Sequence, residues 1–129
     1  LSIKATSIPS SELPLIKPDA PMREVIARMA SAFGFAGVAG VVDNKCVLVG
    51  IVTDGDVRRH LERDLLNRKA RDVMTANPKT IRADLLAAEA LTFMNTSKVT
   101  SLFVVDPKAK SKKPVGLLTV HDCLRAGLQ

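Results

Sequence analysis

The sequence has no tryptophan and no tyrosine, and its four aromatic residues, 3% of the chain, are all phenylalanine. Single-stranded nucleic acid is held by stacking bases on aromatic faces, so this supply leaves no stacking platform and argues against a nucleic-acid binder. Cysteine is scarcer still. Cys46 and Cys123 stand in apolar surroundings without metal-ligand spacing, which excludes a zinc cluster and reads as two small buried hydrophobes in a reducing cytosol. No apolar run approaches the roughly eighteen residues of a membrane span. The start, Leu1-Ser2-Ile3-Lys4-Ala5-Thr6, lacks the basic, apolar and small-residue regions of a signal peptide. It is expected to be a cut inside a longer cytoplasmic chain.

Two further absences bear on catalysis. There is no G-x-x-x-x-G-K-[ST] phosphate loop and no nucleophile with a nearby base motif. Asp54 and Asp56 have the residue types of an acid/base pair, and His60 or His121 that of a general base. Yet His60 stands beside Arg58, Arg59 and Glu62 on what reads as a solvated helix face, and the chain is expected to be non-catalytic.

What is present is an ordinary globular composition. The 129 residues are 47% hydrophobic and 25% charged, enough for one compact domain or two small fused units. The net charge of +6 favours an anionic partner: nucleic acid, a phosphorylated small molecule or an acidic protein surface. Four lysines, Lys108, Lys110, Lys112 and Lys113, share one turn, which reads as solvated.

The pattern is a repeat. Gly50-Ile51-Val52-Thr53-Asp54-Gly55-Asp56-Val57-Arg58-Arg59 returns as Gly116-Leu117-Leu118-Thr119-Val120-His121-Asp122-Cys123-Leu124-Arg125, with Thr119 and Asp122 at the same offset from Thr53 and Asp56. Each copy reads as a buried strand running into a helix, with a hydroxyl and a carboxylate on the turn, a place where an α/β protein holds a polar ligand. Upstream of each lies the same series. A short strand around Leu15-Ile16 or Thr80-Ile81 leads into a helix, with Met22, Val25, Ile26, Met29 and Phe33 or Leu86, Ala90, Phe93 and Met94 at helical spacing. Asp19 is the expected cap of the first helix and Gly34 its stop; a hairpin over residues 38–52 turns at Asp43-Asn44-Lys45. Val57, Leu61 and Leu65 predict a second amphipathic helix, and residues 122–127 a last one ending at Gly127.

The order is therefore strand, helix, strand, strand, helix, twice. The fold class expected is α/β (α+β): two β-α-β-β-α repeats packed face to face about a pseudo-twofold axis, with the two Thr and Asp pairs in the cleft between them. Residues 1–14 read as a linker or irregular arm, 15–69 as the first repeat and 70–129 as the second.

The repeated unit ending in G-h-h-T-x-x-D, with the linker Arg71-Asp72-Val73-Met74-Thr75-Ala76-Asn77-Pro78, resembles a tandem pair of CBS domains, a Bateman module. More narrowly, Gly50 to Arg59, Arg71 to Thr75, and His121-Asp122-Cys123-Leu124-Arg125-Ala126-Gly127 look like the C-terminal regulatory half of bacterial D-arabinose 5-phosphate isomerases. The resemblance implies a regulatory module that senses a nucleotide and builds a homodimer. It also implies an N-terminal sugar isomerase domain in the full-length chain, serving lipopolysaccharide or capsule biosynthesis. The ligand would be AMP, ADP or ATP, or a CMP-linked sugar nucleotide, with no cofactor required. One site would use Thr53 and Asp56 with Leu15, Ile16 and Val38, the other Thr119 and Asp122 with Thr80, Ile81 and Thr100.

The chemistry of the residues agrees with this. A carboxylate accepts from both hydroxyls of a ribose, a helix N-terminus offers N–H groups to phosphate, and Arg58, Arg59, His121 and Arg125 supply positive charge. Asp56 and Asp122 also suit plain helix capping. The remaining alternative is a purely structural dimerisation module that binds nothing.

Overall fold

A computed structural model describes residues 8–9, 13–31, 37–61 and 64–125, with five α-helices and two four-stranded sheets among them. Gly34, Phe33 and Gly127 lie outside the described residues, and so does the side chain of Arg125. The chain divides into two compact units, 14–78 and 79–129 together with 1–13.

In the first unit β2 (Leu15–Ile16), α1 (Met22–Ser31), β3 (Val38–Val42), β4 (Leu48–Thr53) and α2 (Asp54–Arg59) follow in the expected order. β2 pairs with β3 in parallel, Ile16 opposite Val41, because α1 carries the chain back across. β3 and β4 form the antiparallel hairpin, Val38 opposite Thr53, with a register shift at Val41/Val42. The second unit repeats the plan with β6 (Thr80–Arg82), α4 (Ala87–Ser97), β7 (Ser101–Val105), β8 (Pro114–Thr119) and α5 (Val120–Arg125). Its hairpin sets Ser101 opposite Thr119 and shifts register at Val104/Val105, the position matching the first.

Each sheet takes its fourth strand from the segment preceding the other repeat. β1 (Ile8–Pro9), within the expected irregular arm, pairs with β8, so the second sheet runs β1-β8-β7-β6. β5 (Thr75–Ala76) follows α3 (Ala70–Val73) and pairs with β4, closing the first sheet as β2-β3-β4-β5. Residues 70–78 thus pack with the first unit.

The cores follow the apolar stripes. Met22, Val25 and Met29 of α1 meet Val41 and Val52 of the sheet and Val73 of α3, all buried. In the second unit Met94 of α4 meets Leu102, Val104 and Leu118, with Cys123 of α5 fully buried among them.

Several local expectations are corrected. Asp19 does not cap α1; it pairs with Arg71 and lies 4.0 Å from Lys69, tying the approach to α1 to α3. α2 ends at His60, whose ring Nδ1 lies 2.8 Å from the Asp56 carbonyl oxygen, so Leu61 is exposed and Leu65 is buried from a separate 3-10 turn, Leu65–Asn67. Cys46 is exposed because the hairpin turn puts it at φ 62°, away from the strand face. Phe93 is 37% exposed and Leu86 55%, since the buried face of α4 runs along Ala87, Ala90 and Met94.

Gly50 is where β5 comes closest. A Cβ there would lie 2.5 Å from Met74 Sδ and 3.1 Å from the Thr75 carbonyl oxygen. The thioether can move, but the carbonyl belongs to the strand pairing opposite. Gly50→Ala is expected to cost about 1–3 kcal/mol of unfolding free energy, read by urea denaturation. A loss within a few tenths would show that β5 yields freely.

Candidate functional site

Thr53 is the last residue of β4 and the first extended residue before α2, with φ −111° and ψ 169°. That geometry leaves its side chain free to turn back on the helix start. Its Oγ1 accepts from the Asp56 N–H at 3.2 Å, while Asp56 Oδ2 accepts from the Thr53 N–H at 2.9 Å and from the Thr53 hydroxyl at 3.1 Å. This is a reciprocal capping box with the shorter aspartate in the place a glutamate usually takes. The other oxygen, Oδ1, accepts from Arg59 at 2.5 Å and from the Thr75 hydroxyl at 2.9 Å. Asp56 is only 2% exposed, and its four donors fill roughly the four lone-pair sites a carboxylate has.

The second elbow repeats the box. The Thr119 N–H donates to Asp122 Oδ2 at 2.9 Å and the Asp122 N–H to Thr119 Oγ1 at 3.1 Å, with both side chains buried. The first helical N–H is spent in each copy: Asp54 donates to the Gly37 carbonyl at 3.2 Å and Val120 to the Thr100 carbonyl at 2.9 Å. The expectation of N–H groups open to phosphate is thus corrected at four positions, residues 54, 56, 120 and 122, whose donors meet the protein's own oxygens. Gly37 stands at φ 62°, a left-handed conformation in which a side chain is strained.

Among the residues named from sequence, the fold joins Thr53, Asp56 and Arg59 by hydrogen bonds and sets Val38 opposite Thr53. It joins Thr119 with Asp122 and brings the carbonyl of exposed Thr100 onto α5. Ile16 and Ile81 are buried within the two cores, Ile16 opposite Val41 and Ile81 opposite Val104. Thr80 is half-buried opposite Phe103, and His121 points to solvent as an exposed residue on α5. Thr75 was missed. Its signal was weak, since nothing in a two-residue strand announces that it will reach a carboxylate nineteen positions back.

Burial pushes the Asp56 carboxyl up, but donation from the Thr53 N–H, the Thr75 hydroxyl, Arg59 and the Thr53 hydroxyl outweighs it and holds the pKa below the ordinary 3.8. At Cys123 burial raises the thiol pKa and the neighbouring Asp122 charge adds to it, leaving an inert thiol. Among the described residues no buried side-chain nitrogen or oxygen lacks a hydrogen-bond partner, and no group of three His, Cys, Asp or Glu is placed to hold a metal. No helix among them is long and apolar enough to cross a membrane.

A depressed folded pKa stabilises the protein above the unfolded value and the gain is lost as pH falls through the folded one. Asp56→Asn cannot titrate. Its stability deficit is expected at about 1–3 kcal/mol near neutrality and to shrink as pH drops below 3.8, read by chemical denaturation of both proteins along a pH series. A deficit that stays constant into strong acid would contradict the charge-assisted network.

Comparison with known proteins follows the same lines. A family model described as CBS domain matches residues 5–63 and again 70–129. The arabinose 5-phosphate isomerase KdsD of Pseudomonas aeruginosa is 47% identical over 94 residues, covering 71% of this chain and 28% of that protein. The corresponding protein of Yersinia pestis is 33% identical over 120 residues, 92% of this chain and 35% of that protein. The chain thus spans about a third of the length of these curated relatives. The Arabidopsis thaliana CBS-pair protein CBSX2, solved in complex with AMP, superposes with a TM-score of 0.81 at 24% identity, covering 99% of this chain and 96% of that one. The protein therefore belongs to the CBS domain family, as a tandem pair homologous to the C-terminal region of arabinose 5-phosphate isomerases.

Proposed function

We propose that this chain is a non-catalytic cytoplasmic regulatory module. It binds an adenine nucleotide or a sugar nucleotide at the Thr53–Asp56 and Thr119–Asp122 elbows, pairs subunits into a homodimer, and controls a sugar-phosphate isomerase domain preceding it in the full-length protein. The observation that carries this reading is the duplicated elbow, a buried carboxylate beside a hydroxyl at the carboxyl end of a strand in both repeats. A carboxylate is the type of acceptor a ribose diol requires, and at Asp56 the diol would displace donors that the protein now supplies. Val38, Ile16 and Ile81 are the apolar residues proposed for the base, Thr80 and Thr100 the polar ones at the second site, and Arg59 and His121 the charges offered to phosphate. CBSX2 with AMP and a bacterial CNNM/CorC Mg2+ transporter CBS domain with ATP, the latter superposing with a TM-score of 0.77 at 20% identity, supply the choice of adenine nucleotides to test. The homology to arabinose 5-phosphate isomerases supports the isomerase domain and the sugar-nucleotide alternative.

A second reading, a purely structural pairing module, is favoured by two facts. All four donors at Asp56 come from the protein itself, and Leu86, Phe93 and Leu124 leave α4 and α5 with exposed apolar side chains. Thermal unfolding with AMP, ADP, ATP, CMP, the CMP-linked eight-carbon sugar and arabinose 5-phosphate separates the two. A ligand preferring the folded state adds about 2.7 kcal/mol at a hundredfold excess over its dissociation constant. A rise with one nucleotide that fails in Asp56→Ala or Asp122→Ala is expected. An unchanged melting temperature across the panel would select the structural reading.

A further inference from the structure

The Asp56 carboxylate is held from a direction the capping box does not require. Thr53 alone satisfies Oδ2 and closes the box, whereas Oδ1 is taken by Arg59 from one turn along α2 and by Thr75 from β5. These two donors occupy the oxygen a ribose hydroxyl would need, and a carboxylate has no fifth position to offer. The Arg59 side chain is 65% exposed and able to swing away at little cost. Thr75 is less mobile, because its backbone pairs with Ile51 on β4.

The fourth strand of the second sheet is β1. β1 occupies on that sheet the place β5 takes on the first: Ile8 pairs with Leu117 as Thr75 pairs with Ile51, and Leu117 and Ile51 each lie two residues before the elbow threonine.

We infer that Thr75, with Arg59, is an internal competitor for the Asp56 carboxylate, lowering the affinity of the first site for a nucleotide's ribose. This rests on the reading of Asp56 as a ribose ligand. On it, entry of the diol breaks the Thr75 bond to Asp56 and frees the Arg59 guanidinium to turn to the nucleotide's phosphate, for which its planar fork is suited. Thr75 is a positioning residue: it acts through the carboxylate and not on the ligand.

The test uses AMP and the 129-residue chain carrying Asp122→Asn, which disables the second site and keeps a side chain able to cap. Calorimetric titration compares this protein with forms also carrying Thr75→Val, Thr75→Ser or Asp56→Asn. Thr75→Val is expected to tighten AMP binding about tenfold, the scale of one hydrogen bond to a charged group, while Thr75→Ser leaves it unchanged and Asp56→Asn abolishes it. In the same proteins the Asp56 carboxyl, followed by carbon-detected NMR, should titrate at higher pH in Thr75→Val than with threonine present. Binding unchanged or weakened by Thr75→Val, with Asp56→Asn still abolishing it, overturns the competitor role alone. Absence of AMP binding in the unsubstituted chain and in every variant rejects the nucleotide reading at Asp56 and the inference with it.

Discussion

A carboxylate buried to 2% of its exposed area is tolerated only where donors replace the water it has lost. At Asp56 that replacement binds four pieces of chain: the end of β4, the start of α2, its last turn through Arg59, and β5 through Thr75. Asp122 repeats the same box at the end of β8. Without these bonds the strand-to-helix turn would leave buried donors and a buried charge unmet, at a cost of several kcal/mol. The direction in which α2 and α5 leave their sheets, and with it the residues each elbow presents, depends on that satisfaction.

The rest of each unit is arranged to keep the elbow in place. β3 runs beside the elbow strand and offers a carbonyl just before its start, Gly37 in one copy and Thr100 in the other, to the first N–H of the helix. The parallel strands β2 and β6 brace β3 and β7 from the other side, and their isoleucines seal the two cores. Gly50 lets Met74 and β5 approach β4 closely enough for the Thr75 hydroxyl to reach Asp56. A fold with so few side chains at its polar centre tolerates wide changes elsewhere, and CBS pairs sharing only 24% or 20% of their residues with this chain superpose on it.

Much of this was legible in the residues. Strand, helix, strand, strand, helix could be read twice because each apolar stripe is local, and the offset of Thr53 and Asp56 to Thr119 and Asp122 exposed the duplication. What could not be read depends on contacts distant in sequence. β1 and β5 are two residues long and become strands only by pairing with β8 and β4. The third and fourth donors to Asp56 were hidden because neither Thr75 nor Arg59 differs in type from a solvated neighbour. Leu61 misled because helical spacing continues past the point where His60 caps α2.

The coupling of Thr53 to Asp56 is the claim on which the structure and the proposed site both stand, and a double-mutant cycle measures it. Unfolding free energies of the wild type, Thr53→Val, Asp56→Asn and the double variant, taken at neutral pH, isolate the interaction from the rest of each side chain. A coupling of about 1–3 kcal/mol is expected from a charge-assisted box in a buried elbow. Additive losses, with no coupling beyond about 0.3 kcal/mol, would mean that the Thr53 hydroxyl and the Asp56 carboxylate hold the turn independently, which contradicts the reciprocal box.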